Sequence, residues 1–270
     1  MKFVTLLCVI TLLLPIVGGK GGMNVAVTIP PLAEFAMAVG GESVNIEILI
    51  PPGSSPHTYE PKPGQLKAVS ETDMCIFLGS GIEFETTWLR NFEDINGRML
   101  MVNSSEGIEL IKNDPHVWLS LKNVVILVEN ICEAFVRADP ENRDFYVRNS
   151  DSYIEQLREL DKGIEKTFSA MKTEKILVFH GAWAYFCSDY GLEQITIEEG
   201  GKDPTAAQIA KAIEGAKKEG IKIVFASPQE DKRYAEIIAK EIGGKVILID
   251  PLAENYLDNM RKFADIIGSA

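Results

Sequence analysis

Residues 141–171 have the sequence ENRDFYVRNSDSYIEQLRELDKGIEKTFSAM and predict one long helix. The stretch contains no proline, and Gly163 is its only glycine. Its apolar residues recur close to the 3.6-residue period of a helix, at Phe145, Ile154, Leu157, Leu160, Ile164 and Phe168. Asp139-Pro140 precedes it, and proline is favoured in the first turn of a helix. At a rise of about 1.5 Å per residue the helix would be about 45 Å long, enough to cross a whole molecule.

Short β-rich segments alternate with helical patterns on both sides of this helix, which is typical of α/β proteins with mostly parallel sheets. The strand candidates before it are Val25–Ile29, Val44–Ile50, Met74–Leu78 and Met99–Val102. The candidates after it are Ile176–Phe179, Glu193–Ile197, Ile223–Ala226 and Val246–Ile249. A long helix packed on a single domain is the alternative, but the balance of strands on the two sides favours two lobes.

The predicted fold is therefore α/β with two lobes, each a mainly parallel four-stranded sheet flanked by helices, joined by one long rigid helix. The predicted divisions are 1–22 for an export segment, 23–140 for the N-terminal lobe, 141–172 for the connecting helix and 173–270 for the C-terminal lobe. Because a helical connector is stiff, whereas Gly/Ser linkers are flexible, only modest movement between the lobes is expected.

The N-terminus has the features of a signal peptide. Met1-Lys2 supplies a positive charge, and residues 3–17 form an apolar stretch that Pro15 interrupts near its end. A glycine-rich stretch follows at 18–22. The protein is thus predicted to be exported, to the periplasm or the cell surface. An uncleaved segment that tethers it is the alternative, although the run is slightly short for a spanning helix. Cys8 lies within the apolar run, so no lipid attachment is predicted there.

The chain is acidic, with 39 Asp and Glu against 27 Lys and Arg and a formal net charge of −12. Nucleic-acid binding is not expected, because it needs a basic face that neutralises phosphates. Anchoring by a polybasic patch on anionic lipid is disfavoured for the same reason. An acidic surface is compatible with cation capture but does not indicate it, since salt screens its effect.

Three cysteines remain after the export segment: Cys75, Cys132 and Cys187. They form no Cys-x-x-Cys pair, and an odd number fits no complete disulfide framework. All three are predicted to be buried small apolar residues, with one disulfide among them as the alternative.

The chain has three histidines, and two of them follow a proline. His57 lies in segment 51–63, where five prolines fix much of the backbone and so lower the entropy cost of binding. His116 follows Asp114-Pro115, and Asp114 could either bond the backbone of the turn or orient the imidazole. The alternatives are a solvated loop histidine for His57 and a partly buried histidine beside Trp118 for His116.

His180 and Asp250 each follow a predicted strand of the second half of the chain. Ligands of open α/β sheets bind outside the carboxyl ends of the strands. Asp250 alone would be explained as a helix N-cap, but its position beside His180 favours a ligand. Three imidazoles and one carboxylate form a tetrahedral zinc set, so the predicted metal ligands are His57, His116, His180 and Asp250. Glu254 or water is the alternative for the fourth.

The sequence contains no H-E-x-x-H helix, no G-x-S-x-G elbow and no G-x-x-x-x-G-K-[ST] loop, and the protein is predicted not to be an enzyme. The enzyme alternative is a small zinc hydrolase in which the three histidines hold the metal and Asp250 or Glu254 acts on water. A third possibility is a receptor for a metal chelate, such as a cobalamin or iron chelate, with Trp88, Trp118 and Trp183 lining its cleft.

Four segments together resemble the zinc/manganese-binding solute receptors of ABC importers, the cluster A-I periplasmic binding proteins. They are Pro56–Pro61, Asp114–Leu119, Phe179–Ala182 and Asp250–Leu252, and the resemblance runs from about Asn24 to the C-terminus, including Tyr185, Tyr190–Leu192 and Glu198–Pro204. It implies that His57 and His116 from one lobe, with His180 and Asp250 from the other, hold a metal in the cleft. It also implies a monomer that delivers this divalent ion to a membrane permease with its ATPase.

Within this family, histidine at the third ligand position is more typical of zinc, and glutamate of manganese. Imidazole suits zinc as well, so zinc is expected as the transported ligand and manganese is the alternative. The chain departs from the family pattern at Gly181, where an aspartate often stands, and a possible contact to the third histidine is therefore missing. Residues 108–114 contain no histidine, so the accessory metal capture of the His-rich loop found in many zinc-specific members is not expected.

Overall fold

The computed structural model describes residues 22–169, 171, 175–198 and 203–269. Residues 1–21, with almost all of the predicted export segment and Cys8, lie outside the described residues. So do residues 199–202 of the segment Glu198–Pro204.

The eight strands of the described residues form two four-stranded parallel sheets. The first sheet has the order β2-β1-β3-β4, with β1 (Met23–Val27), β2 (Val44–Ile48), β3 (Met74–Phe77) and β4 (Leu100–Asn103). The second has the order β6-β5-β7-β8, with β5 (Lys175–Val178), β6 (Glu193–Thr196), β7 (Ile223–Ala226) and β8 (Lys245–Leu248). The central strands are short runs of buried apolar residues, as expected where helices cover both faces of a parallel sheet.

Helices connect the strands and cover the sheets. They are α1 (Pro30–Gly40), α2 (Pro63–Ser70), α3 (Glu83–Ile95), α4 (Leu121–Ala138), α5 (Arg143–Phe168), α6 (Ala184–Tyr190), α7 (Ala206–Lys218), α8 (Lys232–Glu241) and α9 (Tyr256–Gly268). Across the described part of the chain, no helix combines the length and apolar character that crossing a membrane requires.

Helix α5 links the two lobes and packs on both. It contacts α1 and α4 of the first lobe and α6 and α9 of the second. Its apolar stripe, which includes Leu157 and Phe168, belongs to one continuous core that runs from the first sheet to one face of the second. The other face of the second sheet has a separate core beneath α7 and α8. The lobes therefore share buried apolar surface along α5.

A carboxylate of the first lobe caps a helix of the second. Glu34 on α1 accepts the backbone N–H of Tyr256 at 2.5 Å and that of Leu257 at 3.3 Å. These N–H groups open α9, where the helix dipole favours negative charge. Glu34 also accepts the Tyr153 hydroxyl of α5 at 2.5 Å, so three elements meet at one side chain.

The predicted strands and long helix are confirmed, with ends shifted by at most three residues. The helix begins at Arg143 after a single 3₁₀ turn at Pro140–Asn142 and ends at Phe168. Cys75, Cys132 and Cys187 are all free and buried, as predicted, and burial raises the pKa of Cys75 and of Cys187 to about 12. These thiols are therefore neutral, and the alternative of a disulfide among them is not observed.

Candidate metal centre

The three histidines come together between the lobes. His57 is held in the turns after β2, His116 directly precedes the 3₁₀ turn Val117–Leu119, and His180 follows β5 by two residues. One ring nitrogen of each lies within 4.8 Å of the other two, and no other His, Cys, Asp or Glu of the described residues joins this group. The ring centroid of His180 is 5.2 Å from that of His57 and 5.1 Å from that of His116.

Each imidazole is hydrogen-bonded through Nδ1 to its own carboxylate. The distances are 2.9 Å from His57 to Glu83, 2.7 Å from His116 to Asp114 and 3.0 Å from His180 to Glu198. A carboxylate at Nδ1 favours the tautomer with the proton there, which leaves Nε2 with its lone pair. This pattern prepares three nitrogen ligands at once.

The Nε2 atoms of His116 and His180 face each other at 3.2 Å. With the protons held on Nδ1, this contact joins two acceptors, and two lone pairs at this distance repel each other. A cation between them would turn that repulsion into attraction. Neutral imidazole is also the commonest nitrogen ligand of zinc. The geometry and chemistry of the three histidines therefore fit a transition-metal ion.

Register explains why Glu198 meets His180. Strands β5 and β6 are parallel neighbours in which Val178 pairs with Thr196, so residues 180 and 198 both lie two positions past their strand ends. Glu198 is only 6 % exposed. Gly181 is packed against β6 as well, because a Cβ there would lie 2.9 Å from Thr196 Cγ2. The carboxylate contact to His180 that Gly181 cannot make is thus made by Glu198, which follows the neighbouring strand β6.

The loop that carries His116 is fastened to the second lobe. Asp114 accepts the His116 backbone N–H at 2.9 Å as well as the imidazole, so both roles considered for it are observed. Tyr185 accepts the Ile111 N–H at 2.8 Å and donates to the Asp114 carbonyl at 3.2 Å. The Trp118 indole N–H donates to the Pro251 carbonyl at 2.7 Å.

The electrostatic environments of the two buried histidines differ. Burial lowers the pKa of His116 from its ordinary 6.5, against the opposing effect of the Asp114 hydrogen bond and charge. Burial also acts to lower the pKa of His180, but the hydrogen bond and charge of Glu198, with the charges of Glu230 and Asp114, outweigh it. The pKa of His180 is therefore raised above 6.5, and protons compete there with a metal ion most strongly.

Asp250, the predicted fourth ligand, is not brought into the group of three histidines. Its Oδ1 accepts the Gln229 Nε2–H at 3.0 Å and the Leu252 backbone N–H at 2.8 Å. The second bond closes a local turn two residues long. It is not the helix N-cap of the alternative, because α9 begins only at Tyr256 and has Asn255 as its N-cap. Glu254, considered in its place, is exposed and lies outside the group too.

Sequence reasoning missed Glu83 and Glu198. Extending the strand-end argument from β5 to its neighbour β6 would have found Glu198, since it occupies the position equivalent to His180. Glu83 gives no comparable signal. It begins α3, and only the packing of that helix end against segment 51–63 brings it to His57.

A cavity of about 180 Å³ lies between the lobes at this group. Its lining includes the three histidines with Pro56 and Ile82 from the first lobe, and Phe179, Gln229 and Leu252 from the second. Two α/β lobes on a shared long helix, with histidines of both lobes converging in the cleft, define a two-lobed metal-binding receptor. Residues 25–270 match the family described as "Zinc-uptake complex component A periplasmic", ZnuA, and the chain belongs to this family.

Named relatives agree with this assignment. The high-affinity zinc uptake system protein ZnuA of Bacillus subtilis (strain 168) is 28% identical over 253 residues, which cover 85% of this chain and 78% of that protein. The zinc-binding lipoprotein AdcA of Streptococcus pneumoniae (strain ATCC BAA-255 / R6) is 29% identical over 275 residues, or 90% of this chain. The chain spans about half the length of AdcA, since the match covers 54% of it.

Solved structures show the same architecture. A crystal structure of ZnuA superposes with a TM-score of 0.88 at 36% sequence identity, covering 92% of this chain and 99% of that one. The Zn(II)-bound ZnuA-like domain of Streptococcus pneumoniae AdcA gives a TM-score of 0.80 at 28% identity, covering 92% and 98%.

Proposed function

We propose that this protein is the extracytoplasmic solute receptor of an ABC importer, which captures a zinc ion between its lobes and delivers it to the permease. One observation carries the proposal: one ring nitrogen of each of three histidines from both lobes lies within 4.8 Å of the other two, while a carboxylate is hydrogen-bonded to each Nδ1. The family and the zinc-binding relatives support the same function. Exported location and a monomeric state are parts of the proposal.

Zinc is the proposed ion and manganese the alternative. Three imidazoles are a nitrogen-rich set that suits zinc, whereas manganese prefers carboxylate, carbonyl and water oxygens. The zinc-bound structures among the relatives support this choice, and one of them, a ZnuA deletion mutant, is 36% identical to this chain. His57, His116 and His180 are the proposed ligands.

A receptor for a metal chelate is less well supported. A second cavity of about 630 Å³ also borders the three histidines, so volume does not decide between an ion and a chelate. The three imidazoles, with one ring nitrogen of each within 4.8 Å of the other two, form a ligand set for a bare ion, whereas a chelated metal already has its own ligands. Of the tryptophans considered for such a cleft, Trp118 lines the cavity, while Trp183 packs on Phe263 and Trp88 on Phe92.

We also propose that the protein is not an enzyme. A zinc hydrolase needs a group that takes a proton from metal-bound water. Glu83, Asp114 and Glu198 instead each hold an imidazole, and Glu230, which also lines the cavity, accepts the Ser227 backbone N–H. Turnover of ester or phosphate substrates by the zinc-loaded chain would contradict this part of the proposal.

The test is a pair of calorimetric titrations of the untagged, chelator-stripped chain from residue 23 onward. Zinc is expected to bind one to one and more tightly than manganese, and a chelated metal is expected not to bind. If neither free ion binds but a chelated metal does, the chelate-receptor alternative would replace the proposal.

Glu198→Gln is expected to shift the pH dependence of zinc binding. The amide can still accept the His180 Nδ1–H but lacks the charge, so the pKa of His180 falls. A histidine ligates only when neutral, and binding is lost as pH falls through its pKa. Zinc binding is measured from about pH 8 to about pH 5, and the half-loss point is the pH at which half of the binding is lost. In Glu198→Gln this point should move to lower pH, while zinc affinity at about pH 8 drops about tenfold or more.

Glu193→Gln is the matched control for this experiment. Glu193 begins the same strand, β6, but its exposed carboxylate pairs with Lys175 at the start of the neighbouring strand β5, at the amino ends of the strands and away from His180. Neither the affinity nor the half-loss point should change. A Glu198→Gln variant whose half-loss point stayed in place would show that its charge does not act on the ligand histidine.

A further inference from the structure

A short segment of the first lobe, residues 110–113, lies beside the histidines without a buried side chain to hold it. All four of its side chains are exposed, including those of Leu110 and Ile111. The segment lines the cavity of about 630 Å³ that also borders His57 and His180. Because apolar packing does not fix these residues, their position depends on hydrogen bonds.

One hydroxyl group fastens this segment to the second lobe. Tyr185 on α6 accepts the Ile111 backbone N–H at 2.8 Å and donates to the Asp114 carbonyl at 3.2 Å. Between these two atoms the backbone makes a turn, in which the Asp114 N–H donates to the Ile111 carbonyl at 3.0 Å and Asn113 has a φ of 63°. Within the described residues, the bond from Ile111 is the only one that ties residues 110–113 to the second lobe.

The same turn carries the carboxylate that orients His116. Asp114 Oδ1 lies 2.7 Å from His116 Nδ1 and accepts the His116 backbone N–H at 2.9 Å. A displacement of the Asp114 backbone would therefore move the group that fixes the imidazole of a proposed ligand. The Tyr185 side chain is buried in the apolar core, so its hydroxyl is a fixed point against which the turn is held.

From this arrangement we infer that Tyr185 is a positioning residue that slows the release of zinc: it holds the turn at residues 111–114, so that Asp114 keeps His116 in its ligating orientation. The inference rests on the proposed function and deepens it with a control on the release step. Without the hydroxyl, water can bond the Ile111 N–H and the Asp114 carbonyl. The turn would then open more often, as exposed loops with few fixed contacts do.

The experiment compares zinc release from the native chain and from Tyr185→Phe. Each zinc-loaded protein, untagged and from residue 23 onward, is mixed with an excess of a zinc-binding dye, and the release rate is read from the absorbance of the dye. Phenylalanine fills the space of the tyrosine ring and removes only the hydroxyl. Release should become about tenfold faster, the lower end of the scale on which partners of metal ligands act. Zinc association should change by less than about threefold, so the Kd rises by nearly the same factor as the release rate.

Tyr190→Phe is the matched control. Tyr190 lies on the same helix, and its hydroxyl donates to Asp161 of α5 at 2.6 Å. Its replacement removes one hydroxyl from α6 as well, but it should leave the release rate and the Kd for zinc unchanged, whatever it does to the unfolding temperature. A purely structural role of Tyr185 would lower the unfolding temperature of Tyr185→Phe without changing zinc release.

A double-mutant cycle tests whether Tyr185 acts through Asp114. Asp114→Ala removes the carboxylate that holds His116 and should itself speed release. In that background Tyr185→Phe should change release by less than about twofold, because the turn no longer carries a group that orients the imidazole. Independent effects of the two substitutions would overturn the inference, as would an unchanged release rate in Tyr185→Phe alone.

Both of these contrary results would leave the proposed function standing, because the native chain would still bind zinc. Failure of the native chain to bind zinc would remove the proposed function, and the inference with it.

Discussion

His180→Ala is expected to abolish tight zinc binding. His180 contacts both other histidine rings, and its Nδ1 is hydrogen-bonded to Glu198. Its replacement therefore removes one nitrogen ligand and the imidazole that Glu198 holds. Loss of a partner of a ligand already weakens metal binding about 10- to 100-fold, and loss of the ligand itself should exceed about a hundredfold. Calorimetric titration of the stripped protein measures this difference directly.

The same variant should lose its stabilisation by zinc. At a free zinc concentration about 100 times its Kd, a one-site receptor gains about 2.7 kcal/mol of unfolding free energy. His180→Ala should gain almost none at that concentration, while its metal-free unfolding temperature stays close to the native value. Equal stabilisation of the variant and the native protein by zinc would show that the ion binds elsewhere.

Glu85→Ala is expected to destabilise the first lobe by about 3 kcal/mol, because two or more buried donors lose their acceptor at about 1–3 kcal/mol each. Glu85 is 3 % exposed and accepts the Thr28 hydroxyl at 2.6 Å and the Leu78 N–H at 2.8 Å. It also accepts the Gly79 N–H at 2.9 Å. Burial raises the pKa of this carboxyl, and the three donors act against that shift.

Chemical denaturation of the metal-free protein measures this effect, and Glu93→Ala is the matched control. Glu93 lies on the same helix, α3, with its side chain exposed. Its replacement should change stability by less than about 0.5 kcal/mol. Glu85→Ala should also weaken zinc binding, since Glu85 fixes the chain just before Ser80 and Glu83, which contact Pro115 and His57. Equal stabilities of the two variants would contradict a structural role for Glu85.

Much of the fold could be predicted because its signals are local. The β-branched runs around Val25, Ile176 and Val246 and the apolar period of α5 depend on nearest neighbours in sequence, and each predicted strand is present. Several strand and helix ends moved, by at most three residues, since the last pairs of a sheet and the last turn of a helix depend on tertiary contacts. The lobe boundaries drawn from the sequence stay predictions.

The candidate site could be predicted only in part. The chain has only three histidines, and their surroundings were enough to predict that they bind one metal together. His180 could be placed at the cleft because it follows a predicted strand. The fourth position could not be settled in this way, because the carboxylate of Asp250 is turned by Gln229, which is 21 residues away in the sequence. Whether Asp250 meets a metal ion or the Gln229 amide depends on packing in three dimensions, and the sequence pattern gives no information about it.

The cap that Glu34 places on α9 has a consequence for how the receptor works. Moving the lobes apart would strip a helix terminus of its counter-charge and leave the Tyr153 hydroxyl without its acceptor, besides exposing the core shared along α5. Because of these costs we expect the two lobes to unfold as one cooperative unit and to resist a hinge-like opening. We therefore expect the cleft to be formed before the ion binds, so that little binding energy goes into assembling it.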